Sequence, residues 1–153
     1  MADIWTPEKR REVMSRIRSR DTLPERLLRA ALRRAGMRYR SHRKVRRVTV
    51  DLVLPDLHAV VQVHGCFWHG CAEHYRSPGT NAGFWRRKLE QNRLRDRRQI
   101  TALRRAGWRV VVVWEHSIRA TAPDKLPTMV SRMTAGRPSA GGRSTPSRRT
   151  TRR

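Results

Sequence analysis

Residues 48–74 read VTVDLVLPDLHAVVQVHGCFWHGCAEH, and this stretch decides the fold. Val48–Leu54 is rich in β-branched and aliphatic residues and is followed by Pro55-Asp56, which predicts a strand and a turn. Ala59–Val63 is almost wholly apolar and predicts a second strand that pairs with the first as a hairpin. The loop that follows contains three histidines, both cysteines and an adjacent aromatic pair. A chemically active loop is therefore expected at the end of a buried strand.

Asp51 lies in the middle of the first strand, where a carboxylate is costly to bury unless another group pairs with it. It could instead be an alternating residue that faces solvent. In the hairpin it comes close to the end of the second strand, where the Val63 carbonyl adds an oxygen of the kind that Mg²⁺ prefers. His64 and His69 are suited to polarising a water molecule or holding a phosphate. Together these residues predict Mg²⁺-dependent phosphodiester hydrolysis.

Cys66, Cys71 and His74 offer the sulfur and imidazole donors that zinc binds in tetrahedral sites. Their spacing is not that of a standard zinc finger, and a fourth ligand has to come from elsewhere. His116, which follows a predicted buried strand at Trp108–Trp114, is the candidate. A disulfide between the two cysteines is the alternative, but a basic intracellular chain favours metal ligation. The prediction is a closed, structural zinc site.

The aromatic pair Phe67-Trp68 cannot face one interior from a regular strand, because successive side chains point to opposite faces. Trp85 begins a long helix predicted over residues 81–106 and is expected nearby. Packing in the core is one use of these rings. The other is insertion between base steps, which unstacks and kinks a duplex.

The chain has 153 residues, with 36 Lys and Arg against 12 Asp and Glu, and its net charge of +24 indicates a polyanionic partner, nucleic acid first. No apolar run approaches the roughly 20 residues needed to cross a membrane, and no secretory signal follows Met1. We therefore expect a cytoplasmic, nucleoid-associated protein. A membrane surface is the less favoured partner.

The remaining sequence divides into three parts. Residues 1–20 predict a basic helix, opening at Thr6, that lies along a phosphate backbone or is merely solvated. Residues 21–133 form the expected single domain, which begins with a capping box at Thr22–Glu25 and includes a strand over Met37–His42 and a last helix over Pro123–Met133. Residues 134–153 contain six arginines and no acid, and predict a disordered basic tail. The order of elements predicts an α/β fold with a mixed sheet flanked by helices.

Several motifs resemble those of the very-short-patch-repair (Vsr-type) DNA mismatch endonucleases. The resemblance extends from about Met14 to Arg119 and rests on HGCFWH at 64–69, FW at 84–85, NRLRDRR at 92–98, GWR at 107–109 and WE at 114–115. It implies a restriction-endonuclease-like fold with a structural zinc and Mg²⁺-dependent nicking 5′ to the thymine of a T:G mismatch. Such mismatches arise when 5-methylcytosine deaminates.

The resemblance also implies roles for individual residues. Asp51 and the carbonyl of Val63 would bind Mg²⁺, His69 would be the catalytic base, and His64 would assist at the phosphate. Glu25 falls on a position implicated in the family's site, and the wedge positions match Phe67, Trp68 and Trp85. This chain departs from the best-known pattern in two ways. Position 63 is Val, where that pattern has Thr. The predicted zinc ligands are Cys66, Cys71, His74 and His116, where that pattern has a His-rich loop with a later Cys.

Expected partners are duplex DNA with a T:G mismatch and proteins of mismatch repair, and a monomer is expected. Two other functions fit parts of the sequence. A zinc-shaped DNA-binding module without catalysis would explain the charge and the aromatic pair, but it leaves Asp51, His64 and His69 without a purpose. A restriction endonuclease of the same fold would cut both strands of paired DNA.

Overall fold

The computed structural model describes residues 20–136 together with Thr6, Glu8, Lys9, Arg11 and Glu12. One four-stranded sheet has the order β1-β2-β3-β4, in which the first three strands are antiparallel and β4 is parallel to β3. The strands are β1 Arg40–Val45, β2 Val48–Leu54, β3 Ala59–His64 and β4 Arg109–Trp114. The helices are α1 Leu23–Arg34, α2 Ala82–Arg105, α3 Glu115–Ala120 and α4 Leu126–Ala135, with 3₁₀ turns at Pro55–Leu57 and Pro123–Lys125.

The sheet has a hydrophobic cluster on each face, which confirms the predicted mixed sheet flanked by helices. One cluster joins the strands to α1, α3 and α4 through Leu28, Leu32, Ile118, Leu126 and Val130. The other joins the opposite face to α2 through Leu103, which packs against valines of β2 and β3. Both faces of the central strands are thus covered, as the apolar composition of Ala59–Val63 predicted.

The β1–β2 hairpin is tighter than expected. The predicted strand Met37–His42 lies instead at Arg40–Val45, and the turn after it consists of the two residues Arg46-Arg47, both at positive φ. Val45 pairs with Val48 across this turn. A two-residue turn of this kind usually contains Asn or Gly, which can be recognised in the sequence. Because both positions are arginines, the sequence carried no such signal.

The strand β2 twists at Asp51. In a regular strand Val50 and Leu52 would share a face, but Val50 packs on the α2 side and Leu52 on the α1 side. Pairing between β2 and β3 runs from Leu54 to Leu52 and does not continue to Asp51. The two strands therefore part at the one acid in the sheet, which leaves room for its side chain between them.

At the N-terminus the Oγ1 atom of Thr6 accepts the backbone N–H of Lys9 at 3.2 Å, as expected for a helix cap, and Glu8, Lys9, Arg11 and Glu12 are helical. The rest of the predicted helix at 1–20 and the tail from residue 137 onward lie outside the described residues. The last helix extends to Ala135, two residues past its predicted end. No helix among the described residues is long and apolar enough to cross a membrane.

Candidate active site and metal centre

Asp51 turns inward and holds the end of β3. Its Oδ2 atom accepts the backbone N–H of Val63 at 2.7 Å. The backbone of β2 does not pair with β3 at this point, because the two strands part there, and the Asp51 side chain takes its place as the acceptor. Burial raises the pKa of Asp51 to about 6, the bond from Val63 opposes that rise, and the charge of Glu25 adds to it. A half-buried carboxylate near the strand end is thus available to a cation.

His69 is oriented by an acid that lies outside the predicted set. Its Nδ1 atom is 2.6 Å from Oδ2 of Asp96 on α2, and both side chains are largely buried. An ionised carboxylate only accepts, so Nδ1 carries the proton and Nε2 keeps its lone pair. This is the arrangement that a general base needs.

His64 supports His69 from behind. The two imidazoles stack with centroids 3.9 Å apart and an angle of 11° between their planes, and the edge of Trp114 closes the other side. Burial, together with the neighbouring His69, lowers the pKa of His64 to about 4. His64 is therefore neutral at physiological pH and, being only 5% exposed, has little surface with which to reach a phosphate.

Two further bonds from α2 fasten the loop that carries His69. The amide of buried Asn92 donates to the carbonyl of Trp68 at 2.8 Å, and Arg93 donates to the carbonyl of Gly70 at 2.8 Å. Gly70 has φ +64, and a Cβ there would lie 2.6 Å from a methyl carbon of Leu89, so only glycine fits this close approach. The NRLRDRR motif at 92–98 thus serves as the anchor of the loop.

The four predicted zinc ligands converge, and all their donor atoms lie within 4.8 Å of one another. Nδ1 of His116 is 3.3 Å from Sγ of Cys66 and 3.5 Å from Sγ of Cys71, which is 3.7 Å from Nδ1 of His74. Tetrahedral Zn²⁺ with ordinary Zn–S and Zn–N bonds requires sulfur–nitrogen separations of about 3.6 Å. The donor set therefore fits zinc. Both cysteines are free of disulfides.

The position of His116 depends on two features. The short helix α3, which was not predicted, begins directly after β4 and turns His116 toward the cysteines. The carboxylate of Glu73 lies 4.0 Å from its other ring nitrogen, Nε2, where it can orient the imidazole.

The aromatic side chains of Phe67, Trp68 and Trp85 pack against one another in one cluster. Phe67 meets Trp68 and Trp85 edge to face at centroid distances of 5.1 and 5.3 Å. Trp85 is 9% exposed, whereas the neighbouring Phe84 is 53% exposed. As placed, Trp85 supports the half-buried pair Phe67-Trp68, and the wedge role predicted for it would require the ring to leave this packing.

The capping box at Thr22–Glu25 is formed differently from the prediction. The hydroxyl of Thr22 donates to Oε1 of Glu25 at 2.9 Å and makes no bond to the helix backbone. The Oε2 atom of Glu25 accepts the N–H of Asp21 at 3.1 Å, one residue before the cap. Glu25 is 5% exposed and close enough to Asp51 to raise its pKa.

Sequence reasoning missed Asp96, Asn92, Glu73 and His42, which lies beside Glu25 at 3.6 Å. A signal existed for Asp96 and Asn92. Asp96 is one of two acids in the 24 residues of the strongly basic α2, and Asn92 lies one helical turn before it, so both face the same side. Nothing local marked Glu73 or His42.

Comparisons with known proteins find similarity to DNA endonucleases. The family described as DNA mismatch endonuclease Vsr matches residues 2–75. The type II nicking enzyme V.XorIIP of Xanthomonas oryzae is 44% identical over 116 residues, which cover 75% of this chain and 85% of that protein. The DNA mismatch endonuclease Vsr of Escherichia coli is 36% identical over 120 residues, which cover 78% and 77%. Among solved structures, the catalytic domain of homing endonuclease I-Bth0305I aligns with TM-score 0.42 and 20% identity, covering 74% of this chain and 94% of that one.

The family match and the two sequence relatives define the chain as an endodeoxyribonuclease. More specifically, it belongs to the Vsr family of DNA mismatch endonucleases.

Proposed function

We propose that this endonuclease nicks one strand of DNA 5′ to the thymine of a T:G mismatch, in a reaction that requires Mg²⁺. The observation that carries the proposal is that Asp51 and the His69–Asp96 pair are attached to successive residues at the end of β3: Asp51 accepts the N–H of Val63, and His69 stacks on His64. Burial raises the pKa of Asp51, and the charge of His69 is among the effects that lower it, so Asp51 and His69 are close enough to interact electrostatically. A binding module without catalysis would have no use for an oriented imidazole beside a buried acid.

The residues divide the work of hydrolysis. Asp51 and the carbonyl of Val63 would hold Mg²⁺, which when bound stabilises negative charge on the scissile phosphate. The Nε2 atom of His69 accepts the proton of the attacking water, and Asp96 keeps the imidazole in the tautomer that leaves this nitrogen free. His64 remains neutral and fixes the plane of His69 by stacking.

The DNA backbone is proposed to follow the basic side of α2, whose exposed cations include Arg86, Arg87, Lys88, Arg95, Arg97, Arg98, Arg104 and Arg105. Residues 1–20 and 134–153 would add further phosphate contacts, as their composition suggests. Such contacts fix orientation and affinity but do not read sequence.

Zinc at Cys66, Cys71, His74 and His116 is proposed to be structural, since four protein ligands leave no open position. Cys71→Ser should remove the metal and lower the free energy of unfolding by about 4 kcal/mol or more, because the loop loses its tetrahedral anchor. Metal analysis and thermal melting measure this. Ala72→Ser adds the same hydroxyl at the exposed neighbouring position and should change neither, whereas folded, active protein without zinc would contradict the assignment.

Trp68→Ala should reduce the preference in binding affinity for T:G over C:G duplexes by about tenfold, because a mismatched step is easier to unstack and rewards a wedge most. Equilibrium binding without Mg²⁺ measures both affinities. Trp85→Ala is the comparison, since loss of that buried ring should lower stability and weaken binding to both duplexes alike. An equal loss on the two duplexes for Trp68→Ala would assign it to packing instead.

The decisive experiment uses end-labelled duplexes that differ only at one pair, T:G or C:G, with and without Mg²⁺. A single nick 5′ to the mismatched thymine, absent without Mg²⁺, is expected. Cutting of both strands of the paired duplex would indicate a restriction enzyme. Tight binding without any cleavage would indicate a DNA-binding module.

A further inference from the structure

A compact group of charges, the acidic corner, lies on the α1 side of Asp51 and consists of Asp21, Glu25 and His42 around Arg29. The guanidinium NH2 of Arg29 donates to Oδ1 of Asp21 at 2.6 Å, and its NH1 lies 3.2 Å from Nε2 of His42 and 3.9 Å from Oε2 of Glu25. The Arg29 side chain is only 15% exposed. The guanidinium of Arg29 thus faces three side chains of the kinds that bind metal ions.

The backbone is arranged to bring these groups together. Glu25 and Arg29 are one helical turn apart on α1, and Asp21 lies just before the helix, where its N–H bonds to Glu25. Asp21 and His42 both have left-handed backbones, with φ 55 and 49, a conformation that is uncommon for residues other than glycine. Such strain persists only where the surroundings hold it in place.

Without Arg29 the acidic corner has the donor set of a divalent cation site. Nε2 of His42 lies 3.4 Å from the Asp21 carboxylate and 3.6 Å from the Glu25 carboxylate, and the three donor atoms are all within 4.8 Å of one another. Two carboxylates and an imidazole suit Mn²⁺ or a similar ion. The guanidinium supplies the positive charge that such an ion would bring, and because it is tethered to α1 it is always present.

We propose that Arg29 is a positioning residue that acts as the permanent cation of the acidic corner. The wild-type protein then binds no divalent ion there, and Glu25 and His42 keep fixed places beside Asp51 without one. This inference goes beyond the nicking reaction, since it concerns how many divalent cations the chain itself can hold.

The test counts Mn²⁺ bound at equilibrium dialysis in the background of Asp51→Asn, which removes the proposed Mg²⁺ ligand. Adding Arg29→Met should create one further Mn²⁺ site, and adding Glu25→Gln to that protein should abolish it. Thermal melting gives a second readout, because Mn²⁺ should raise the melting temperature of the Arg29→Met protein more than that of its parent. Arg33→Met is the matched control, since Arg33 lies one turn further along α1 and its guanidinium donates to the Tyr39 hydroxyl at the surface.

Two results would overturn the proposal. One is a Mn²⁺ ion in the Asp51→Asn protein that Glu25→Gln removes, because the acidic corner would then bind a cation despite Arg29. The other is no additional ion in a folded Arg29→Met or Arg29→Gln protein. If Asp51 is not the Mg²⁺ ligand, all variants should retain the same unrelated ion, so that failure is distinguishable from failure of the role of Arg29.

Discussion

His69→Ala should lower the nicking rate about a thousandfold, within the range by which a positioned general base accelerates a reaction. Nε2 of His69 is the nitrogen available for proton transfer, because Nδ1 is bonded to Asp96 at 2.6 Å. The fold should survive, because the loop remains tied to α2 through Asn92 and Arg93. Single-turnover nicking of a T:G duplex at saturating enzyme measures the chemical step, and DNA binding should change little.

The control is His58→Ala. His58 is exposed, directly precedes β3 at the end opposite the site and stacks on Trp108, so its replacement removes an imidazole away from the site. Its nicking rate should stay within a few-fold of the wild type. Asp96→Asn should fall between the two, because the amide no longer selects the tautomer of His69. Full activity of His69→Ala at saturating enzyme would require a different base.

Asp51→Asn should also lower the nicking rate about a thousandfold or more, because a neutral amide is a poor ligand for Mg²⁺. The same change should stabilise the protein in the absence of added Mg²⁺. The amide oxygen can still accept the N–H of Val63, while the burial that raises the pKa of Asp51 from 3.8 to about 6 no longer opposes a charge. At pH 7.5 the expected gain is about 3 kcal/mol, nearly the full effect of the shift, because both pKa values lie well below this pH.

The sign follows from proton binding. Folded Asp51 holds its proton more tightly than the unfolded chain does, so wild-type stability falls as pH rises through the range from about 4 to 6. The advantage of Asp51→Asn should therefore be largest at neutral pH and shrink toward pH 4. Thermal melting across this range measures it. Asp56→Asn in the turn after β2 is the comparison: this exposed acid pairs with Arg38, which lowers its pKa, so its substitution should not raise stability. A lower melting temperature for Asp51→Asn at pH 7.5 would mean that the carboxylate stabilises the fold.

The mixed sheet and its helices could be predicted because hydrophobic periodicity and turn signals agree over most of the chain. Asp51 stood out because a lone acid in a run of valines and leucines requires a partner. The turn at Arg46-Arg47 and the short helix α3 could not be predicted, since one lacks turn residues and the other is too short for periodicity.

Contacts between distant segments explain what was missed at the site. His42 reaches Glu25 only because β1 lies beside the start of α1, and Glu73 meets His116 only after β4 has been placed next to β3. Local sequence carries no information on such meetings. The packing of Trp85 against Phe67 and Trp68 could not be predicted for a similar reason, because it depends on how the loop folds onto α2.

The parallel pairing of β3 with β4 sets His64 opposite Trp114 and brings His116 to the cysteines, while Asp96 reaches His69 from the helix between these strands. During synthesis, a chain that has not yet emerged past residue 116 therefore lacks one of the four proposed zinc ligands, and one shorter than 96 also lacks the carboxylate that pairs with His69. We therefore expect no nuclease activity from nascent chains that end before residue 116.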